Sequence, residues 1–162
     1  MTPFSIRAAR PGEGALVARF VHGLAVYEKL EHEAVGTEAG FEAALFGASP
    51  RVFADIAEWD GEPVGFALWF YTFSTFQARH GIYLEDLYVE PAQRGRGIGK
   101  GLIAHLAKRC VHEGLPRLDW QVLDWNAPSI AFYDSIGAGA RSEWISRRLT
   151  GAALSALAAE AP

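Results

Sequence analysis

A chain of 162 residues suits one domain and is long enough to bury a hydrophobic core. Its formal net charge of −4 argues against a general nucleic-acid binder, because neutralising phosphates requires a basic face. A single cysteine excludes an intrachain disulfide and a cysteine-based metal site, and no apolar run has the length of a membrane span. We therefore expect one cytoplasmic domain over residues 1–162.

The first quarter of the chain predicts one strand and two helices. Alternating residues over Phe4–Ala9 predict a strand. Apolar residues at helical spacing predict an amphipathic helix from Glu13 to Glu28. Thr37 can cap a second helix that ends near Phe46.

The middle of the chain predicts three strands and a long helix. Residues 51–59 and 63–73 have strand patterns, and Asp60-Gly61 between them is a strong hairpin signal. A third strand over Gly81–Val89 leads into a glycine-rich loop and a helix that ends near His112.

The last third predicts a strand over 117–125 and a short helix that Asn126 caps, with Pro128 in its first turn. A final strand near Glu143–Leu149 and an alanine-rich helix complete the pattern. Hairpins mixed with strand–helix–strand units predict a mixed α/β sheet with helices on both faces.

Four glycines alternate with other residues where the long helix begins, in the stretch RGRGIGKG from Arg94 to Gly101. Each glycine in a helix costs up to about 1 kcal/mol relative to alanine. Without a Cβ, however, a bulky anion can reach the unpaired N–H groups and the positive end of the helix dipole. Arg94, Arg96 and Lys100 would add charge-assisted contacts. This context predicts a pyrophosphate cradle, and a flexible turn before a helix is the alternative.

Two common phosphate motifs do not fit this loop. A Walker loop needs a glycine five residues before Gly99, and Arg94 stands there. The dinucleotide fingerprint G-x-G-x-x-G is matched only in a loose variant, late in the chain. A nucleotide-dependent oxidoreductase is therefore disfavoured.

The pattern from Arg94 to Gly99 resembles the coenzyme A pyrophosphate loop, [QR]-x-x-G-x-[GA], of the GNAT superfamily of N-acetyltransferases. The order of predicted elements is similar over nearly the whole chain. VYEKLEHE near Tyr27, IYLEDLYVEP before the loop and VLDWNAPSIAFY after it resemble the diamine (spermidine/spermine) N-acetyltransferase family, especially its thialysine N-ε-acetyltransferase branch. The resemblance implies a GNAT fold, with a mixed, mostly antiparallel sheet flanked by helices. It also implies an enzyme that transfers acetyl from acetyl-CoA to an amine.

The same resemblance implies two catalytic residues. Tyr133 would protonate the leaving thiolate, and the alternative is a tyrosine of the core. Glu85 would take the proton of the amine, directly or through water. Asp86 would be structural or would bind the cation of the substrate. Carboxylates within an apolar strand need a reason, because burying an unpaired charge is costly; a hydrogen-bonded network that holds loops is the alternative for this pair.

The cofactor site is expected along the strand, the loop and the short helix. In the superfamily the edge of this strand hydrogen-bonds the pantetheine arm, so the Leu87 amide is the expected donor to the thioester carbonyl. Asn126 would contact pantetheine, cap its helix, or do both. The expected cofactor-binding residues are Leu87, Tyr88, Val89, Arg94, Gly95, Arg96, Gly97, Ile98, Gly99, Lys100, Asn126 and Tyr133.

Acidic residues at the end of the first predicted helix suggest how a substrate is attracted. Tyr27 and Glu28, with Glu85 and Asp86, would draw in a cationic amine; the alternative is a solvated acidic face. Ser74 and Thr75 stand in the loop 72–81 where polyamine enzymes carry an acidic residue. Arg79 and His80 give the same loop positive character. Both features favour an amine smaller than spermine or spermidine, such as a lysine analogue or an amino acid. Further acidic residues in the cluster are Glu31 and Glu33.

The single cysteine and the five histidines are not expected to carry an acyl group or a metal. Cys110 lies on the apolar stripe of the long helix, so we expect a core residue and direct transfer in a ternary complex. The histidines lack metal-binding spacing, which predicts no metal. Resemblance implies a homodimer. The alternatives to a small-amine enzyme are a protein or peptide N-acetyltransferase of the same fold and a non-catalytic acyl-CoA-binding sensor.

Overall fold

Five strands form one sheet in the order β1-β2-β3-β4-β5, as given by a computed structural model that describes residues 4–162. Neighbours from β1 to β4 are antiparallel, and β5 is parallel to β4. This is the mixed, mostly antiparallel sheet expected from the sequence. The strands are β1 (Phe4–Ala8), β2 (Phe53–Trp59), β3 (Glu62–Ser74), β4 (Arg79–Val89) and β5 (Leu118–Asp119).

The chain divides into two compact units, of which the first ends at Leu123 and the second is Asp124–Pro162. The whole sheet lies in the first unit, and the second contains helices and irregular chain. The single-domain expectation stays a prediction. The first unit contains α1 (Gly14–Glu28), α2 (Glu38–Phe46) and α3 (Ile98–Glu113), and the second contains α4 (Ala127–Ser135) and α5 (Gly151–Ala158).

Helices α1 and α2 cover one face of the sheet. The apolar stripe of α1 buries Val17 and Phe20 against Ile56 and Phe66 of the strands, and the rings of Phe20 and Phe66 are stacked 5.5 Å apart. The Thr37 hydroxyl accepts a hydrogen bond from the Gly40 N–H at 3.1 Å, so the predicted cap of α2 is confirmed. This packing fixes α1 beside β4.

Helix α3 packs against the opposite face of the sheet, where it contacts β1 to β4. Its apolar stripe, which includes Leu102 and Leu106, is buried there. Gly101 allows this close packing, because a Cβ there would lie 2.6 Å from the ring of Phe4, which would then have to move. One of the four alternating glycines therefore serves helix–strand contact rather than anion binding. Helix α3 is followed by Gly114, which has the left-handed conformation (φ 68°) that is common at helix C-termini.

The predicted hairpin between β2 and β3 is confirmed. Asp60 and Gly61 both have positive φ, 52° and 84°, as a two-residue type I′ turn requires. An aspartate tolerates this region better than most residues, and glycine enters it without strain.

Two strand predictions were wrong. The strand expected over 117–125 is reduced to Leu118–Asp119, and 120–125 is irregular. No strand forms over Glu143–Leu149, where Trp144 and Ile145 are exposed and pair with none of the strands described within 4–162. An alternating pattern makes a strand only where a partner supplies hydrogen bonds. The predicted alanine-rich helix is confirmed as α5.

Among the helices of residues 4–162, none combines the length and the apolar character needed to cross a bilayer.

Candidate active site

A β-bulge in β4 sets the direction of the two adjacent carboxylates. In the β3–β4 ladder Leu68 pairs with Asp86 and Trp69 pairs with Leu84, so Glu85 is the extra residue. Cross-strand partners share a face, and Asp86 therefore lies on the α1 side with Leu68. Without the bulge, strict alternation would place Asp86 on the side of Leu84. Glu85 itself is exposed.

Asp86 and its neighbours form an acidic cluster beside the end of α1. Burial, and after it the charges of Glu85 and Glu28, raise the pKa of Asp86 to about 6. Burial also raises the pKa of Glu28. The structure thus brings together the three carboxylates named from the sequence, and a positive charge among them would relieve their repulsion. Glu31 and Glu33 lie apart on an exposed 3-10 turn.

The edge of β4 is open over its second half. Strand β5 pairs with β4 only at Ile82 and Tyr83, and the Ile82 N–H donates to Arg117 O at 3.1 Å. Beyond Tyr83, no other described strand of the sheet adjoins β4 on that side. The predicted unpaired edge at Leu87–Val89 is present.

The alternation of backbone amides shows which groups this edge presents. The Glu90 N–H donates to Val64 O of β3 at 2.9 Å. Amides along a strand alternate in direction, so Leu87 and Val89 direct their N–H groups to the open edge. Such amides can accept an added extended chain or polarise a carbonyl oxygen. The Leu87 amide has the direction that its expected role requires.

The glycine loop has two left-handed positions directly before α3. Gly95 and Gly97 have φ of 77° and 80°, and a Cβ added at either position would meet nothing within 4 Å. Both therefore need glycine for backbone conformation and leave open space beside the chain. Gly97 precedes α3 without a side-chain cap, so the N–H groups of its first turn, at Ile98 and Gly99, are available to an anion. Lys100 in this turn is exposed.

The arginines of the loop both contact aromatic rings, which sequence reasoning missed. Arg94 Nε donates to Val89 O at 3.0 Å, and its guanidinium lies 4.7 Å from the ring centroid of Tyr27. Arg96 lies 4.9 Å from the ring of Trp59. Neither pairing follows from spacing, because Tyr27 and Trp59 belong to distant segments.

Asn126 and Tyr133 lie in the second unit, where Asn126 precedes α4 and Tyr133 lies on it. The Asn126 side chain accepts a hydrogen bond from the Ser129 N–H at 3.4 Å, so its predicted capping role is confirmed. Tyr133 follows Phe132, whose ring centroid is 5.3 Å away. Their roles toward a cofactor stay predictions.

Cys110 is buried on α3, as expected for a core residue. Burial raises the pKa of its thiol, which keeps the sulfur protonated and weakly nucleophilic. Among residues 4–162, no three histidine, cysteine or acidic side chains converge as metal ligands.

This chain is similar to known proteins in sequence and in structure. A thialysine N-epsilon-acetyltransferase from Bos taurus is 36% identical over 94% of this chain and 96% of its own length. An L-ornithine N5-acetyltransferase from Arabidopsis thaliana is 30% identical over 94% of this chain and 86% of its own. An integron cassette protein from the mobile metagenome of V. cholerae is similar in structure, with a TM-score of 0.82, 27% identity and coverage of 98% of this chain and 99% of its own.

The family profile described as "Acetyltransferase (GNAT) family" matches residues 19–138, a span that includes the bulge, the open edge and the glycine loop. The chain belongs to the GNAT family of acetyltransferases.

Proposed function

We propose that this protein transfers the acetyl group of acetyl-CoA to a primary amine of a small cationic substrate. The observation that carries the proposal is the order of features along β4 and into α3. An acidic cluster at Glu85 and Asp86 is followed by the open-edge amides of Leu87 and Val89, and then by the glycine loop. An amine, a thioester and a diphosphate need these three environments in this order.

Acetyl-CoA would supply the activated acyl group and a thiolate leaving group. The loop residues fit its diphosphate, because Gly95 and Gly97 leave space and the first turn of α3 offers N–H groups. The amides of Leu87 and Val89 would hold the pantetheine arm, and Leu87 would polarise the acyl carbonyl. We expect Asn126 to contact the pantetheine arm and Tyr133 to donate a proton to the leaving sulfur.

The acidic cluster would bind and deprotonate the amine. Glu28 and Asp86 would hold the cationic substrate, and an ammonium placed there would lower the electrostatic cost of their charges. Glu85, exposed at the bulge, would accept the proton directly or through water. The buried, protonated thiol of Cys110 is poorly suited to carry an acyl group, which supports direct transfer in a ternary complex.

The substrate class we favour is a molecule with a side-chain amine. Relatives named for thialysine and for the N5 position of L-ornithine support this class. A spermidine/spermine N(1)-acetyltransferase-like protein from Homo sapiens is 30% identical over 85% of this chain and 21% of its own length, which supports including diamines and polyamines in this class. We also expect a homodimer.

A turnover screen tests the proposal. The purified chain and acetyl-CoA are incubated with thialysine, L-ornithine, L-lysine, putrescine, spermidine and a peptide with a free N-terminus, and released thiol is measured. We expect turnover with one or more small amines. Turnover with the peptide alone would favour peptide acetylation, and binding of acetyl-CoA with no turnover on any acceptor would favour a sensor.

A further inference from the structure

The contacts of Arg94 connect the glycine loop with the last turn of α1. Its guanidinium lies 4.7 Å from the centroid of Tyr27 and 5.8 Å from that of Tyr88. Its Nε donates to Val89 O at 3.0 Å, at the open edge of β4. The two rings and the carbonyl together restrain a long side chain that would otherwise lose rotamer freedom on binding.

This arrangement leaves the rest of the guanidinium usable. The terminal nitrogens of Arg94 form no hydrogen bond with any described residue of 4–162. An arginine stacked on an aromatic face keeps its planar N–H fork available to a phosphate. The ring contact thus orients the side chain without occupying the donors that an anion would need.

We propose that Tyr27 is a positioning residue for the acyl carrier, acting through Arg94. The ring of Tyr27 holds the guanidinium at the entrance of the glycine loop, so that Arg94 meets the diphosphate with little loss of freedom. This role rests on the proposed function and is separate from any contact of Tyr27 with the amine. Tyr27, which the sequence names as an expected substrate-binding residue, would thereby also contribute to affinity for the cofactor.

Substitutions at Tyr27 separate its ring from its hydroxyl. Tyr27→Phe keeps the aromatic face, and Tyr27→Leu removes it. We expect calorimetry to show the Kd for coenzyme A rising about threefold to tenfold in Tyr27→Leu and changing less than about twofold in Tyr27→Phe. Val26→Ala, at an exposed neighbour on α1, is the matched control and should leave the Kd unchanged.

A double-mutant cycle assigns the effect to Arg94. In an Arg94→Ala background, Tyr27→Leu should add little to the Kd for coenzyme A, because the partner of the ring is gone. With S-acetylpantetheine, a donor that lacks the diphosphate, Tyr27→Leu should leave the donor KM close to that of the original chain. Melting temperatures of all variants report whether folding has changed.

The outcomes distinguish the positioning role of Tyr27 from the proposed acetyltransferase function on which it rests. Equal fold losses with and without Arg94, or an unchanged Kd in Tyr27→Leu, would overturn the positioning role while leaving the cofactor site intact. Failure of the unsubstituted chain to bind coenzyme A would instead overturn the proposed function.

Discussion

Asp86 pairs with Leu68 across the β3–β4 ladder, and this pairing places a carboxylate on the apolar face covered by α1. Burial and neighbouring charges hold the pKa of Asp86 at about 6, above the ordinary value of 3.8. A carboxylate kept there against its own solvation is expected to serve binding at the expense of stability.

The raised pKa makes stability depend on pH in a defined direction. Between about pH 4 and about pH 6 the folded chain keeps a proton on Asp86 that the unfolded chain has released, so the free energy of unfolding falls as pH rises through this window. Asp86→Asn should remove that fall and raise the free energy of unfolding near neutral pH by about 1–3 kcal/mol. Urea denaturation on both sides of the window measures it. Parallel pH dependences for the two proteins would contradict the assignment.

Amine binding should respond to Asp86 in the opposite sense. As pH falls through about 6, Asp86 becomes neutral, and the KM for a cationic amine should rise. Asp86→Asn should show a high KM for the amine at every pH. The KM for acetyl-CoA serves as the internal control and should change little.

Glu85→Gln tests the proposed base. The substitution keeps the size of this exposed bulge residue and removes its proton acceptor. We expect kcat/KM for the amine to fall about a hundredfold or more, most strongly below the pKa of the free amine, where deprotonation is needed. Glu62→Gln, exposed on the β2–β3 hairpin, is the control. A pH–rate profile with unchanged shape and height would remove Glu85 from this role.

Tyr133→Phe tests the proposed acid on α4. Phenylalanine preserves the ring that lies beside Phe132 and removes the proton donor. We expect kcat to fall about a hundredfold or more, with a Kd for acetyl-CoA within about twofold. Tyr71→Phe, which removes a hydroxyl bonded to Glu113 at the far end of α3, should leave kcat unchanged. An equal kcat for Tyr133→Phe and the original chain would exclude the phenol from proton transfer.

Gly97 and Gly61 form a matched pair for the glycine loop. Their φ values are 80° and 84°, and neither has an atom within 4 Å of an added Cβ. Leucine at either position should cost a similar free energy of unfolding, about 1–2 kcal/mol, from left-handed strain. Only Gly97→Leu should weaken coenzyme A binding, by about tenfold or more. Similar Kd values for the two variants would argue against the cradle.

Substitution of Asp55 tests a buried hydrogen bond outside the candidate active site. Its carboxylate is 2% exposed and accepts a hydrogen bond from Trp69 Nε1 at 2.8 Å. Asp55→Ala leaves the buried indole N–H unpaired and should lower the free energy of unfolding by about 1–3 kcal/mol. Asp55→Asn keeps an acceptor and should lower it less. Thermal unfolding measures both, and equal losses would show that the hydrogen bond is unimportant.

Local patterns predicted much of this structure. The periodicity of α1, the Thr37 cap and the Asp60-Gly61 turn each depend on neighbouring residues, and each is confirmed. The expected strand at Glu143–Leu149 depended on a partner that local sequence cannot supply, and it does not form.

The site shows the same division between local and distant causes. Glycine at position 97 permits the positive φ that the structure shows directly before α3. The bulge at Glu85 and the contact of Arg94 with Tyr27 depend on register and on chain segments far apart in sequence. Residue spacing within one segment could identify these residues as candidates, but it could not predict which way their side chains point or which residues they contact.

The contact of Gly101 with Phe4 makes two remote positions interdependent. A methyl group at position 101 would lie 2.6 Å from the ring of Phe4, so the ring would have to move or become smaller. A larger side chain at position 4 would likewise press against the helix that presents the glycine loop, so a substitution at one of these two positions should be compensated by a substitution at the other.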